Sequence, residues 1–288
     1  MEAAGSATPV VAGLLLALFS AFTSAVAHAL LKAGENKLAV LAWIRIVEFV
    51  VALPFVLWIG LPPSTLWPWL FAAVAVHAAY QLVLSWSYSV SDFTAAYPIA
   101  RGFVPVFTAL LGMALLGERL DGFVLAGVAT VSLGILVLAR GRSISLSGFM
   151  AAAIAGLFTT CYMLVDAKGV RAAPDALTFV AWFFLLGAFP MPIALAVRHG
   201  RDTLALLTAN RTAGLRAGVM AVVSFAPALF ALGLAPVGAV AAVRESSILF
   251  GLVLGSLLLK ERLGRRRLAG GLFVMAGTLI VIAGSAFG

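Results

Sequence analysis

Runs of about 20 apolar residues, the length that crosses a bilayer as a helix, recur from one end of this 288-residue chain to the other. They fall at 10–31, 38–59, 66–88, 92–116, 121–139, 147–167, 176–197, 213–234, 237–259 and 267–286, which makes ten. Charge, glycine or proline breaks them: Lys32 to Lys37, Leu61-Pro62-Pro63, Gly117-Glu118-Arg119, Arg140-Gly141-Arg142 and Ala235-Pro236. The composition agrees. Hydrophobic residues make up 63% and charged residues 10%, where a soluble domain carries about 25% charge. That balance excludes a soluble enzyme, a disordered chain and a secreted disulfide scaffold, and the single Cys161 allows no internal disulfide. The expected fold class is an all-α integral membrane protein with ten transmembrane helices.

The opening MEAAGSATP has no basic stretch ahead of the first apolar run, so that run is expected to stay in the membrane rather than serve as a cleaved leader. The longest loop expected, between Arg198 and Arg211, holds about 15 residues, an ordinary connection.

The chain repeats itself. A shift of 143 residues lays Asp92–Gly141 on Ala235–Gly284 without a gap, with 17 of 50 positions identical. Arg101 falls on Arg244, Gly112 on Gly255, Gly127 on Gly270 and Gly134 on Gly277. Glu118-Arg119-Leu120 falls on Glu261-Arg262-Leu263. A shift of 136 relates Phe22-Thr23 to Phe158-Thr159 and Lys32 to Lys168. Two five-span halves are expected, 1–142 and 143–288. Because five is odd, the second half enters from the opposite side, and the halves are inverted about a two-fold axis in the membrane plane. That architecture belongs to alternating-access transporters, with the substrate near the midplane between the repeats.

The net charge of +8 is mostly a topology signal. Loops on one side hold 13 Lys and Arg, including Arg198, Arg201, Arg211, Arg216 and Arg265-Arg266-Arg267, against Arg119, Lys168 and Arg171 on the other. The excess of Lys and Arg marks cytoplasmic loops, which places both termini outside.

Five ionisable residues sit well inside spans: Arg45, Glu48, Arg101, Arg244 and Glu245. Each costs about 2.5–3.5 kcal/mol at the bilayer centre on insertion scales, so such residues pair or face a cavity. Arg101 and Arg244 lie about 15 Å into their helices at 1.5 Å per residue, and the two-fold brings them to one central space. Arg45 and Glu48, three apart, share a helix face. Glu48 is free either to neutralise Arg45 or to reach an arginine of the fourth or ninth span. Two readings stay open: an ion-pair network that locks the bundle, or a site handling substrate or protons. Glu48, Glu245 and His77 are the candidates to carry a proton. Trp43, Tyr80, Gln81 and Tyr97 are candidate cavity-lining residues, Tyr97 because it lies four residues before Arg101. Pro98, Pro105 and Pro227 are expected to kink their helices beside the cavity, and Gly251-x-x-x-Gly255 and Thr108-x-x-x-Gly112 to allow close helix packing. No catalytic arrangement is visible, so no enzyme activity is expected.

The segments Tyr97-Pro98-Ile99-Ala100-Arg101-Gly102, Pro105-Val106 and Gly117-Glu118-Arg119-Leu120 in one half, with Arg244-Glu245-Ser246-Ser247 and Lys260-Glu261-Arg262-Leu263 in the other, resemble the EamA type of the drug/metabolite transporter superfamily. The resemblance covers essentially the whole chain. Ile248 stands opposite Pro105, where the family pattern has a proline. The resemblance implies export of small metabolites, amino acids or related compounds across the cell membrane without ATP, through a central cavity. Arg101, Arg244, Glu245, Glu48, Arg45, Tyr97, Trp43, His77, Gln81 and Tyr80 are then the expected substrate-binding residues. A lipid or lipid-head-group flippase of the same fold is the alternative. The expected partners are a small-molecule substrate and the bilayer, without nucleic acid, for a monomer or homodimer. No cofactor is expected, and proton coupling is left open.

Overall fold

A computed structural model of the protein describes residues 2–31, 36–90, 93–139, 146–259 and 264–287. It is helical throughout. The helices are α1 (Glu2–Leu31), α2 (Lys37–Ile59), α3 (Trp67–Val90), α4 (Phe93–Leu116), α5 (Gly122–Ala139), α6 (Leu146–Ala172), α7 (Ala176–Gly187), α8 (Pro190–His199), α9 (Thr203–Ala209), α10 (Arg211–Leu234), α11 (Val237–Arg244), α12 (Ser247–Leu259) and α13 (Arg265–Phe287). Seven stretches are long and apolar enough to cross a membrane, and shorter apolar helices lie at Arg101–Leu116 and Gly122–Leu138. The expected spans one to six are α1 to α6. Spans eight and ten are α10 and α13. The seventh span is split into α7 and α8, and the ninth into α11 and α12.

Helix ends have local causes, as a membrane demands, because an unsatisfied backbone group has no water to turn to. Asn36 caps α2 by accepting the Ala39 N–H, and Asp175 caps α7 by accepting the Thr178 N–H. Gly60 ends α2 at φ 77° and Gly117 follows α4 at φ 67°, left-handed conformations that glycine adopts without steric cost.

The packing obeys the expected two-fold. Exchanging each span with the one five further on turns α1 against α10 into α6 against α3, and both contacts exist. It likewise turns α4 against α6 into the ninth span against α1, and α2 against α10 into the seventh span against α3. The contacts of α5 with α13, α2 with α7 and α4 with α11 map onto themselves.

The α5–α13 contact shows the symmetry atom by atom. A Cβ on Gly127 would meet Gly277 O and Val281, and one on Gly270 would meet Gly134 O and Leu138. A Cβ on Gly277 would meet Val131, and one on Gly134 would meet Val274. Each of these pairs becomes the other under the 143-residue shift, which is the signature of an isologous contact. The glycines let two backbones approach more closely than any side chain would allow.

Helix α4 runs unbroken past Pro98 and Pro105, and α10 past Pro227. The interruptions that split spans seven and nine fall at Ala188-Phe189 and Glu245-Ser246. Of the residues expected to allow close packing, Thr108 is buried and a Cβ on Gly112 would meet Val237 at 2.7 Å, whereas Gly251 has no described neighbour within 4 Å of its would-be Cβ, and the surroundings of Gly255 lie outside the described residues. Gly238 sits hard on Ala109. The loop from Arg198 to Arg211 contains a short 3₁₀ turn and α9.

The main described core runs through both halves, from Leu14, Leu66 and Leu70 to Phe179, Phe183, Leu229 and Val240, with smaller clusters at Ala39, Ala42 and Leu195 and at Val40, Ile44 and Ala217. Large apolar side chains also cover the outside, among them Leu57, Trp58, Phe123, Leu146 and Leu279. That reversal is what a lipid solvent permits.

Candidate functional site

The ninth span breaks where it carries its charge. Between α11 and α12 the backbone bonds shorten from i→i−4 to i→i−3: Ser246 N–H to Val243 O, Ile248 N–H to Glu245 O, and Leu249 N–H to Ser246 O. One tight turn thus satisfies the peptides that a simple rupture would orphan. A 3₁₀ turn inside a helix is a common mark of a functional hinge. The side chain of Glu245, 1% exposed, issues from this turn.

Glu245 meets Arg101 from α4, with Nε 3.3 Å from Oε2. The two positions are not repeat mates. Glu245 corresponds to Gly102 under the 143-residue shift, and Arg101 to Arg244. The two-fold therefore offers Arg244 a glycine where Arg101 has a carboxylate. Arg244 makes no salt bridge to a described residue, and its guanidinium carbon lies 5.7 Å from the centre of the Phe225 ring. Both arginines act electrostatically on Glu245, Arg101 more strongly.

A second pair sits on α2. Arg45 Nη1 donates to Glu48 Oε2 at 2.6 Å, and Glu48 is 3% exposed. Of the alternatives for Glu48, the pair within its own helix is the one formed. Arg45 also approaches the broken seventh span, 3.7 Å from a would-be Cβ on Gly187.

The third pair includes a residue that the sequence reading missed. His77 Nε2 lies 2.9 Å from Asp166 Oδ2, and Asp166 is 0% exposed. Around them are rings: Tyr162 at 4.3 Å from the imidazole, Phe183 at 4.9 Å and Phe225 at 5.4 Å, centre to centre. Tyr80 contacts Tyr162 edge-on at 5.2 Å. Tyr162 is within electrostatic reach of Asp166, Arg101, Arg244 and Glu245, so it stands between the pairs. Asp166 lies one residue from the expected end of its span, which reads as a boundary position. The helix in fact runs on to Ala172.

Beside His77 a cavity of about 10 Å³ is lined by Arg45, Val74, His77, Ala78, Gln81, Phe183, Gly187, Pro190 and Met191. That is the room of one water.

The structure thus brings together Arg45, Glu48, His77, Tyr80, Gln81, Arg101, Arg244 and Glu245. It does not bring Trp43 to them. The Trp43 indole N–H donates to Leu207 O at 2.8 Å, and its ring lies against Gly214, tying α2 to α9 and α10. The backbone of Tyr97 lies on α4, but its side chain is outside the described residues, as are Lys32 to Glu35 and Lys260 to Leu263.

One face of the bundle is fastened by the first Glu-Arg-Leu motif. Both oxygens of Glu118 accept the Val237 N–H, at 3.0 and 2.9 Å, which caps the first turn of α11. Arg171 at the end of α6 pairs with Glu118 at 2.7 Å and donates to Leu232 O and Ala235 O. Three helix ends and the turn before α11 are thereby held by one ion pair.

A multi-pass helical membrane protein of two inverted halves, with opposed buried charges between them and a broken helix at their centre, has the construction of a transporter. Comparison with known proteins gives the class a family. The profile of the EamA-like transporter family matches twice, over residues 8–140 and 146–283, and the chain belongs to that family. A "Probable amino-acid metabolite efflux pump" of Escherichia coli (strain K12) is 30% identical over 190 residues, 62% of this chain and 64% of that protein. A protein of the same name from Salmonella typhimurium matches to the same extent. The match thus spans about 64% of the length of these relatives. A solved crystal structure superposes with a TM-score of 0.71 at 17% identity, over 95% of this chain and 96% of that one, a likeness of fold alone.

Proposed function

We propose that this protein exports small metabolites, amino acids or related organic compounds, across the cytoplasmic membrane by alternating access, driven by gradients rather than ATP. The observation that carries the reading is the unequal charge at the centre: Arg101 is neutralised by Glu245, while its repeat mate Arg244 has no carboxylate among the described residues. Arg244 is only partly exposed, an unpaired cation inside a membrane bundle is costly, and a substrate carboxylate supplies the missing charge. Glu245 Oε2 faces Arg101 Nε at 3.3 Å, and a substrate ammonium would share that carboxylate. A zwitterion fits such a pair of opposite, unequal groups. His77, Tyr80, Gln81, Arg45 and Glu48 line the same interior, and Tyr97 is placed beside Arg101 by its register. Two relatives named as efflux pumps for amino-acid metabolites support the substrate class. In this reading the halves join between 142 and 143, and both termini lie outside, which the excess of Lys and Arg in the loops of the other side supports.

The test is counterflow of a radiolabelled amino-acid mixture in proteoliposomes. Exchange that falls in Arg244→Gln and persists in Arg266→Gln, a loop control, supports the assignment. Equal exchange in both variants and the parent overturns it. Movement of fluorescent lipid between leaflets, without amino-acid exchange, would establish a flippase instead.

A further inference from the structure

We propose that Phe225 of α10 is a positioning residue, which orders Arg244 for an anionic group of the substrate without neutralising it; this rests on Arg244 being the substrate's anion anchor.

The two repeat-mate arginines are held in different ways. Arg101 faces a carboxylate, with its Nε 3.3 Å from Glu245 Oε2. Arg244 is the last residue of α11, and its guanidinium carbon lies over the Phe225 ring, 5.7 Å from the centre. That is inside the roughly 6 Å over which an aromatic face attracts a cation. A carboxylate that fixes an arginine also neutralises its charge and occupies its hydrogen-bond donors. A ring does neither. It attracts through its quadrupole, and the planar fork of N–H donors stays available to a carboxylate. Arg244 and Phe225 are both partly exposed, so the contact does not seal the guanidinium off.

The ring is itself fixed. Phe183 and Phe184 of α7 lie 6.0 and 6.3 Å from it, centre to centre, and His77 of α3 stands at right angles to it at 5.4 Å. Its neighbour Ser224 donates from Oγ to Ser20 O of α1 at 3.1 Å, which sets the rotation of α10. Helices α1, α3 and α7 thus determine where the ring stands, and the ring determines where Arg244 rests.

The consequence is for affinity. An arginine side chain turns about several bonds, and ordering them at the moment of binding weakens binding. A guanidinium that already rests on a ring has less freedom left to lose. The contact survives binding, because a carboxylate approaches the N–H edge and not the face turned to the ring. Removing the ring's attraction therefore weakens substrate binding and leaves the later steps alone.

The experiment changes the charge of the ring while nearly keeping its shape. Phe225 is replaced by difluorophenylalanine and then by tetrafluorophenylalanine, which withdraw electron density from the ring face in steps. In counterflow of a radiolabelled amino-acid mixture, the half-saturation constant is expected to climb along the series, by roughly 2–30-fold in all. The maximal rate and the thermal midpoint are expected to stay at the parent's values. A ring that only fills space would not follow the fluorine number. In an Arg244→Gln background the series is expected to be flat, because no cation faces the ring. A flat or falling constant with Arg244 present overturns the proposal, and so does an equal rise in the Arg244→Gln background. If the parent exchanges no amino acid, the transport reading fails, and the positioning is read without substrate. Nuclear magnetic resonance of arginine side-chain N–H groups in detergent identifies the Arg244 signal as the one that Arg244→Gln deletes. Phe225→Leu is expected to shift that signal by removing the ring current, and Phe225→Tyr to restore it. The same signal position in the parent and Phe225→Leu overturns the proposal.

Discussion

The carboxylate of Glu118 accepts the backbone N–H of Val237, 119 residues further along the chain, through both oxygens, at 3.0 and 2.9 Å. A residue of the first half thereby caps a helix of the second. Glu118→Ala leaves that N–H and the Arg171 guanidinium without their acceptor. The expected loss is about 1–3 kcal/mol for an unsatisfied buried group, read as a lower thermal midpoint. Hydrogen exchange should accelerate in the first turn of α11 and stay unchanged in α5. Equal exchange in parent and variant would remove the capping role.

The α5–α13 glycines make a second prediction. Gly134→Leu and Gly277→Leu should each cost about 1–3 kcal/mol, the usual penalty for overpacking, because backbone atoms lie 2.6–2.8 Å from the would-be Cβ positions. Gly251→Leu, which meets nothing within 4 Å, should leave the midpoint unchanged. The comparison needs only thermal unfolding in detergent.

A double-mutant cycle on Arg101 and Glu245 separates the pair from its parts. Arg101→Ala alone and Glu245→Ala alone each strand a buried charge, at about 3–5 kcal/mol. The double variant should be more stable than either single one, because no stranded charge remains. Additive losses would mean that the two side chains do not compensate each other.

Removing the arginine without a carboxylate should change binding more than stability. Arg244→Gln forfeits a hydrogen bond to a charged substrate group worth about 1.5–3 kcal/mol, which is about 10–100-fold in affinity. The expected result is a half-saturation constant raised by that factor in counterflow, with a thermal midpoint at or above that of the parent. An unchanged constant would move the anion anchor elsewhere.

Much of this architecture is legible in the residues. The 143-residue shift gave the two-fold, and Gly127, Gly134, Gly270 and Gly277 hold the contact that demonstrates it. The depth of Arg101 and Arg244 put them at the centre. What escaped has physical reasons. A tight turn of i→i−3 bonds breaks the ninth span without proline or glycine, so Glu245-Ser246 carries no local signal of a break. Pro105 leaves α4 continuous, because neighbouring groups in a membrane bundle can satisfy what proline frees. Asp166 was hidden by its nearness to a span end. The choice of partners for Glu48 and Glu245 depended on rotation about the helix axes, which spacing alone does not set. Trp43 shares mid-span depth with the charged residues but turns toward α9.

Under alternating access, two identical halves would exchange conformations, and the two end states would have equal energy. Here the exchange would require α4 to adopt the broken turn of the ninth span and Gly102 to supply the carboxylate of Glu245. The carboxylate is not available, since Gly102 has no side chain. On the alternating-access reading, the two openings would then be unequal in free energy, and the empty carrier would favour one side of the membrane through a single unmatched glycine.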